Sequence, residues 1–278
     1  VSHPVRVRCR AARRCDSRGM HFARRVAQQL ASVGVLDNAT RLAAQAFLTA
    51  LPMLIAIAAY SPEAVRAELL VSLRSLFGAP SPVLRQVEGV YRGAPGARET
   101  WGAVGVLVTL VSATAFVRAL QRLCERAWHL PHAKVRIAVW RWFVWLLVWT
   151  AALVCQGMLR GGLGAGPAPG VALQVLVAVL LWWWTQHLLL AGRVGWRPLL
   201  PGALVTGGAV VLFTGVSGLW LPYSLERSVA RYGPLGSVFT MLSWLILFFT
   251  AVVISIAVGY VLARKPSEPG GGSLTRSR

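Results

Sequence analysis

Along most of this chain, charge-free stretches long enough to cross a bilayer alternate with short blocks of arginine. The first stretch runs from Leu42 to Tyr60. A helix rises about 1.5 Å per residue and the hydrocarbon core is about 30 Å thick, so about 20 apolar residues make one crossing. Further runs follow at 100–117, 142–159, 171–191 and 199–221, and a last one at 235–262 lies inside the charge-free interval 232–263. The pattern predicts an all-α, polytopic membrane protein with about six transmembrane helices.

The polar intervals carry patterns of their own. Phe22, Val26, Leu30 and Val33 recur at helical spacing while Arg24, Arg25 and Gln28 fall elsewhere. This is a short amphipathic helix, and the pattern fits equally one lying among headgroups and one packed on the bundle. In 61–100, Val65, Leu69, Leu73 and Leu76, then Val83, Val87 and Val90, predict two more short amphipathic helices. They are broken at Gly78-Ala79-Pro80-Ser81-Pro82. The segment 161–170 reads as a turn and Leu221 to Arg231 as a polar connection. Trp140, Trp142 and Trp145, and the run Trp182 to Trp184, suit interfacial belts. The expected organisation is a basic disordered arm over 1–21, one membrane domain over 22–263 and a disordered tail over 264–278.

Composition supports the membrane class. Only 14% of residues are charged and the mean hydropathy is +0.59, whereas soluble domains are about one quarter charged. The net charge of +20 raises the question of nucleic acid. The arginines instead flank the spans, where they anchor helix ends in anionic headgroups, so the bilayer is the expected partner and nucleic acid is not. Counting Lys and Arg by alternate intervals gives 21 on the side of both termini against 8 on the other. That asymmetry predicts cytoplasmic N- and C-termini. Val1 to Arg25 stays basic and polar, so the first span is expected to act as the insertion signal. Cys9, Cys15, Cys124 and Cys155 form no CxxC and no Cys/His cluster, so neither a metal site nor a cofactor is expected.

Candidate chemistry is sparse. There is no phosphate-binding glycine loop, HExxH or GxSxG, and no acid lies inside a predicted span. No catalytic residue is assigned and no enzyme is expected. Gln45, Gln156, Gln186 and His187 are polar within spans; such residues either line a pathway or bond helix to helix. Gln45 shares its span with Pro52, and a mid-span proline frees a backbone carbonyl. The fifth span is rich in small residues, including Gly207 and Gly208, which permit close helix approach. Arg118, Arg122 and Arg126 continue the second span into a basic cytoplasmic face, with Glu125 among them as a partner for Arg122 or its neighbours.

Four segments, in order, resemble the YihY/virulence factor BrkB family. They are AAQAFLTALPMLIAIAAY (43–60), RALQRLCERAWHL (118–130), PGALVTGGAVVLF (201–213) and YGPLGSVFTMLSWL (232–245). The last is the most specific, through Tyr232, Gly233, Leu235, Gly236 and Trp244. The resemblance spans about 22–263 and implies six helices, a bacterial inner-membrane location and an ill-defined activity for which transport is the usual suspicion. Many members carry a Gly-Ala-Glu near the end of the sixth span; SIAVGYVLA (255–263) has no acid there, so no role for that Glu carries over. Some members were labelled ribonuclease BN, but the nine acids here are scattered over loops, and phosphodiester hydrolysis needs them gathered.

Two expectations follow. One is a transporter or translocator of a small solute or lipid, with candidate cavity or gating residues Gln45, Pro52, Gly207, Gly208, Tyr232, Gly233, Gly236 and Trp244. The other is a membrane scaffold or envelope-integrity factor acting through 61–100 or the basic face of Arg118, Arg122 and Arg126.

Overall fold

The computed structural model describes residues 20–60, 95–131, 139–154 and 167–264. Among them are seven helices and no strand: α1 (20–33), α2 (Val35–Tyr60), α3 (Pro95–Ala127), α4 (Val139–Val154), α5 (Pro167–Leu189), α6 (Trp196–Tyr232) and α7 (Pro234–Ala263). The two helices expected in 61–94, both termini and the loop 132–138 lie outside the described residues. Among the described residues, four helices are long and apolar enough to cross a membrane: 100–127, 169–189, 196–232 and 235–263. Helices α2 and α4 coincide with the first and third predicted spans.

α1 exists because its apolar positions share a face. Val33 is fully buried and Gln29 nearly so, while Arg24 and Gln28 face out. The helix therefore packs on the bundle, one of the two arrangements its pattern allows. It ends at Gly34, whose φ of 64° lets the chain turn without a Cβ penalty. Asn38 donates its side-chain amide to Val33 O at the helix end and to Gly34 O, which also accepts the Asn38 backbone N–H.

α2 packs against α3 and α7, and α6 packs against α5 and α7. The buried core gathers toward the end where α1 meets the bundle. It contains Leu42 and Ala43 of α2, Val117, Leu120 and Leu123 of α3, Leu190 of the α5–α6 turn, Leu199 of α6, and Val252 and Ile256 of α7. Outward, the same helices expose Leu107, Val111, Leu176, Leu204, Leu212 and Leu247. Leucines exposed along whole helices suit lipid rather than water.

Two connections differ from expectation. Leu221 to Arg231 is not a loop but the last turns of α6, which runs unbroken for 37 residues. At about 1.5 Å per residue it spans roughly 55 Å, well beyond the hydrocarbon. The reversal into α7 takes a single residue, Gly233, with φ 62° and ψ −152°. In the other case, Pro167 to Gly170, expected in a turn, already belong to α5. A proline in the first turn costs no hydrogen bond, which makes Pro167 a helix start rather than a breaker.

Candidate functional site

The segments expected on the side of the termini meet at one end of the bundle. Gln29 of α1 donates its amide to Ala127 O at 2.8 Å. Its carbonyl lies 3.2 Å from Nε2 of His129, so that ring nitrogen is the donor in this bond. His129 holds a positive φ of 52° just beyond α3, and its ring meets Tyr260 of α7 edge-on at 5.3 Å. Trp128 packs edge-on against the same tyrosine at 5.4 Å. Arg264, closing α7, sets its guanidinium 5.1 Å from the Tyr260 ring centre, within cation–π range. Around these groups lies an open pocket of about 350 Å³ lined by Arg25, Gln28, Gln29, Ser32, His129, Tyr260, Val261 and Arg264.

An ion pair ties the same end together. Glu125 is almost wholly buried, and its Oε1 accepts from Arg193 at 2.6 Å and from Gln121 at 3.0 Å. Arg193 also donates to Leu190 O at 3.2 Å and to Pro131 O. Glu125 thus pairs with an arginine 68 positions away on the α5–α6 turn. Burial explains the choice: the carboxylate points into the bundle, whereas Arg118, Arg122 and Arg126 face out. These three do form one exposed basic face on the last turns of α3.

A second concavity lies at mid-span. A partly open groove of about 100 Å³ is lined by Trp149 and Ala152 of α4, Gln174, Val177, Ala178, Leu181 and Trp182 of α5, and Val210, Val211 and Thr214 of α6. Gln174 and Trp182 straddle the centre of α5. The Nε1 donor of Trp182 is buried with no acceptor among the described residues. Trp145 and Trp149 both donate to Thr185 Oγ1, at 3.3 and 3.1 Å. Trp145 and Trp182 are therefore interior groups, not members of an interfacial belt. Period alone cannot distinguish the two placements, because a tryptophan about two turns from a helix end satisfies either.

The predicted cavity residues separate into different roles. Gly207 is a contact: a Cβ there would lie 2.8 Å from Val179 Cα, so α5 and α6 touch backbone to backbone. A Cβ on Gly208 would meet nothing within 4 Å. Gly236 packs against the Ser228 carbonyl across the α6–α7 turn. Trp244 donates to Ser217 Oγ at 2.8 Å, joining α7 to α6 and stacking on Phe248. Tyr232 is exposed. Gln45 keeps a buried Oε1 without a donor among the described residues, and Pro52 sits in an unbroken α2. The structure thus brings together Gly236 with the Tyr232–Gly233 turn, and Trp244 with α6, but it does not bring Gln45 or Pro52 to either group. His187, at the end of α5, stacks on Trp196 at 3.9 Å.

Sequence reasoning missed two features. Gly259 of α7 lies directly against Gly202 Cα, and Gly202 in turn leaves room for the buried Gln186 amide, whose Oε1 would be 2.9 Å from a Cβ there. The signal was an isolated glycine late in an otherwise bulky span. The Gln29–His129–Tyr260 cluster joins three distant segments, and nothing in their spacing announces it.

These features define a polytopic helical membrane protein with a basic pocket at one end and an apolar groove at mid-depth. The chain belongs to the virulence factor BrkB family, whose model matches residues 26–276. No curated protein and no solved structure matches it.

Proposed function

We propose that this protein translocates an amphiphilic molecule, a lipid or lipid-like solute, across the bacterial inner membrane, without catalysing a covalent reaction and with both termini in the cytoplasm. The observation that carries the reading is the groove between α4, α5 and α6. It lies between three helices, its walls are mostly apolar, and one wall residue, Trp182, has a buried indole N–H with no acceptor among the described residues. An unpaired buried donor costs about 1–3 kcal/mol, which the ester or hydroxyl of a passing lipid would offset. A volume of about 100 Å³ accommodates a polar group or a chain segment, not a whole hydrophilic solute. That favours a substrate whose remainder stays in the bilayer.

The test is lipid movement in proteoliposomes loaded with fluorescent phospholipid analogues and read by quenching of the outer leaflet. Wild-type protein is expected to accelerate exchange over protein-free vesicles. Trp182→Phe, which keeps an aromatic ring for the edge-on contact with Trp149 and removes the donor, is expected to slow it severalfold. If no analogue crosses faster than in empty vesicles, translocation fails and the scaffold reading replaces it.

A further inference from the structure

We propose that the pocket between α1, the α3 terminus and α7 is a binding site for a single phosphate group. The lining carries two guanidinium groups, Arg25 and Arg264, contributed by helices at opposite ends of the sequence. Gln28, Ser32 and His129 add hydrogen-bonding capacity, and among the described residues no carboxylate lines the pocket. Arginine is the residue suited to planar, bidentate recognition of phosphate. A general headgroup anchor would need none of the construction seen here. Gln29, buried, fixes the α3 terminus through Ala127 O and orients His129 through Nε2. Tyr260, also buried, supports His129 on one side and Arg264 on the other. The floor of Tyr260 and Val261 is apolar and the rim is basic, which fits the phosphate of a glycerophospholipid as well as free phosphate. A volume of about 350 Å³ takes either. The site requires binding only, so it stands whether or not the protein moves a lipid.

The experiment uses the full chain in a non-ionic detergent, titrated by calorimetry with three probes: dihexanoyl phosphatidylglycerol, dihexanoyl phosphatidylcholine and inorganic phosphate. Arg25→Gln and Arg264→Gln are expected each to weaken anion binding roughly tenfold, the loss of one charge-assisted bond. Arg197→Gln, which removes an exposed cation in the first turn of α6, serves as control and is expected to leave affinity unchanged. Saturable one-to-one binding of phosphatidylglycerol with this mutational pattern identifies a lipid headgroup as the source. The same pattern with inorganic phosphate, and none with phosphatidylglycerol, identifies the free anion. The proposal is overturned if neither anion binds, if phosphatidylcholine binds as tightly as phosphatidylglycerol, or if Arg197→Gln loses as much affinity as Arg25→Gln. Unchanged gel-filtration profiles exclude misfolding, and Arg264→Lys, which keeps the charge but loses the fork, is expected to fall between wild type and Arg264→Gln.

Discussion

Replacing Arg193 by alanine tests how the basic end of the bundle is held. The substitution removes the 2.6 Å contact to Glu125 and the bonds to Leu190 O and Pro131 O together. The Glu125 side chain is 2% exposed, so its charge stays buried, with the Gln121 amide still bonded to it. Breaking a fully buried pair costs about 3–5 kcal/mol. Arg193 is itself 28% exposed, so solvent already screens part of the pair and the cost falls to about 2–3 kcal/mol. For a chain of this size each kcal/mol moves the melting point by roughly 2–4 °C, which gives about 4–12 °C. The assay is the loss of the monodisperse gel-filtration peak after heating in detergent, compared at a fixed heating time because membrane proteins unfold irreversibly. Glu125→Gln is expected to cost less than Arg193→Ala, since it retains the shape and a neutral acceptor. The double variant is expected to lose less than the sum of the two single losses, because both changes break the same contact. A melting point within about 1 °C of wild type for Arg193→Ala, or strict additivity in the double variant, refutes the reasoning.

Neighbouring glycines should behave oppositely. Gly207→Ala forces a methyl onto Val179 backbone and is expected to cost about 1–3 kcal/mol in the same assay, whereas Gly208→Ala meets open space and is expected to be neutral or to stabilise by up to about 1 kcal/mol through helix propensity. Gly233→Ala places a side chain in a region of positive φ with ψ near −152°, which glycine alone occupies readily, and is expected to cost about 1–3 kcal/mol and lower the yield of folded protein. The two ends of α6 report orientation: in a background with the native cysteines replaced, an impermeant maleimide applied from outside the cell membrane is expected to label Arg227→Cys and spare Arg197→Cys, and the reverse labelling overturns cytoplasmic termini.

The helices were legible because lipid imposes a simple grammar. A backbone crossing hydrocarbon must satisfy its own hydrogen bonds, so charge-free length alone announces α3, α5, α6 and α7. The same grammar misplaced their ends. Ser224, Glu226, Arg227 and Arg231 read as a loop because they are polar, yet helix α6 continues through them after leaving the predicted span. Polarity marks the solvent; it does not mark where hydrogen bonding along the helix stops. Only Gly233, with its positive φ, marks that, and its position in YGPLG was the one local signal available.

The candidate sites were less legible for a physical reason. A span has no period that separates a face touching lipid from one touching another apolar helix, since both are hydrophobic. Gly207 and Gly208 are identical as letters, and only the approach of Val179 makes the first a contact and leaves the second open. Tryptophans 145 and 182 have amphipathic rings that suit the interface, but the Thr185 hydroxyl draws the first inward and burial claims the second. Glu125 was read among its helical neighbours because spacing along one helix is all that sequence supplies. Its pairing with Arg193 requires the α5–α6 turn to fold back over the end of α3. The basic end therefore carries information of a different order from the spans. Its residues come from four distant segments, and their specific pairing is what distinguishes a built anion pocket from the arginine fringe that any polytopic protein wears.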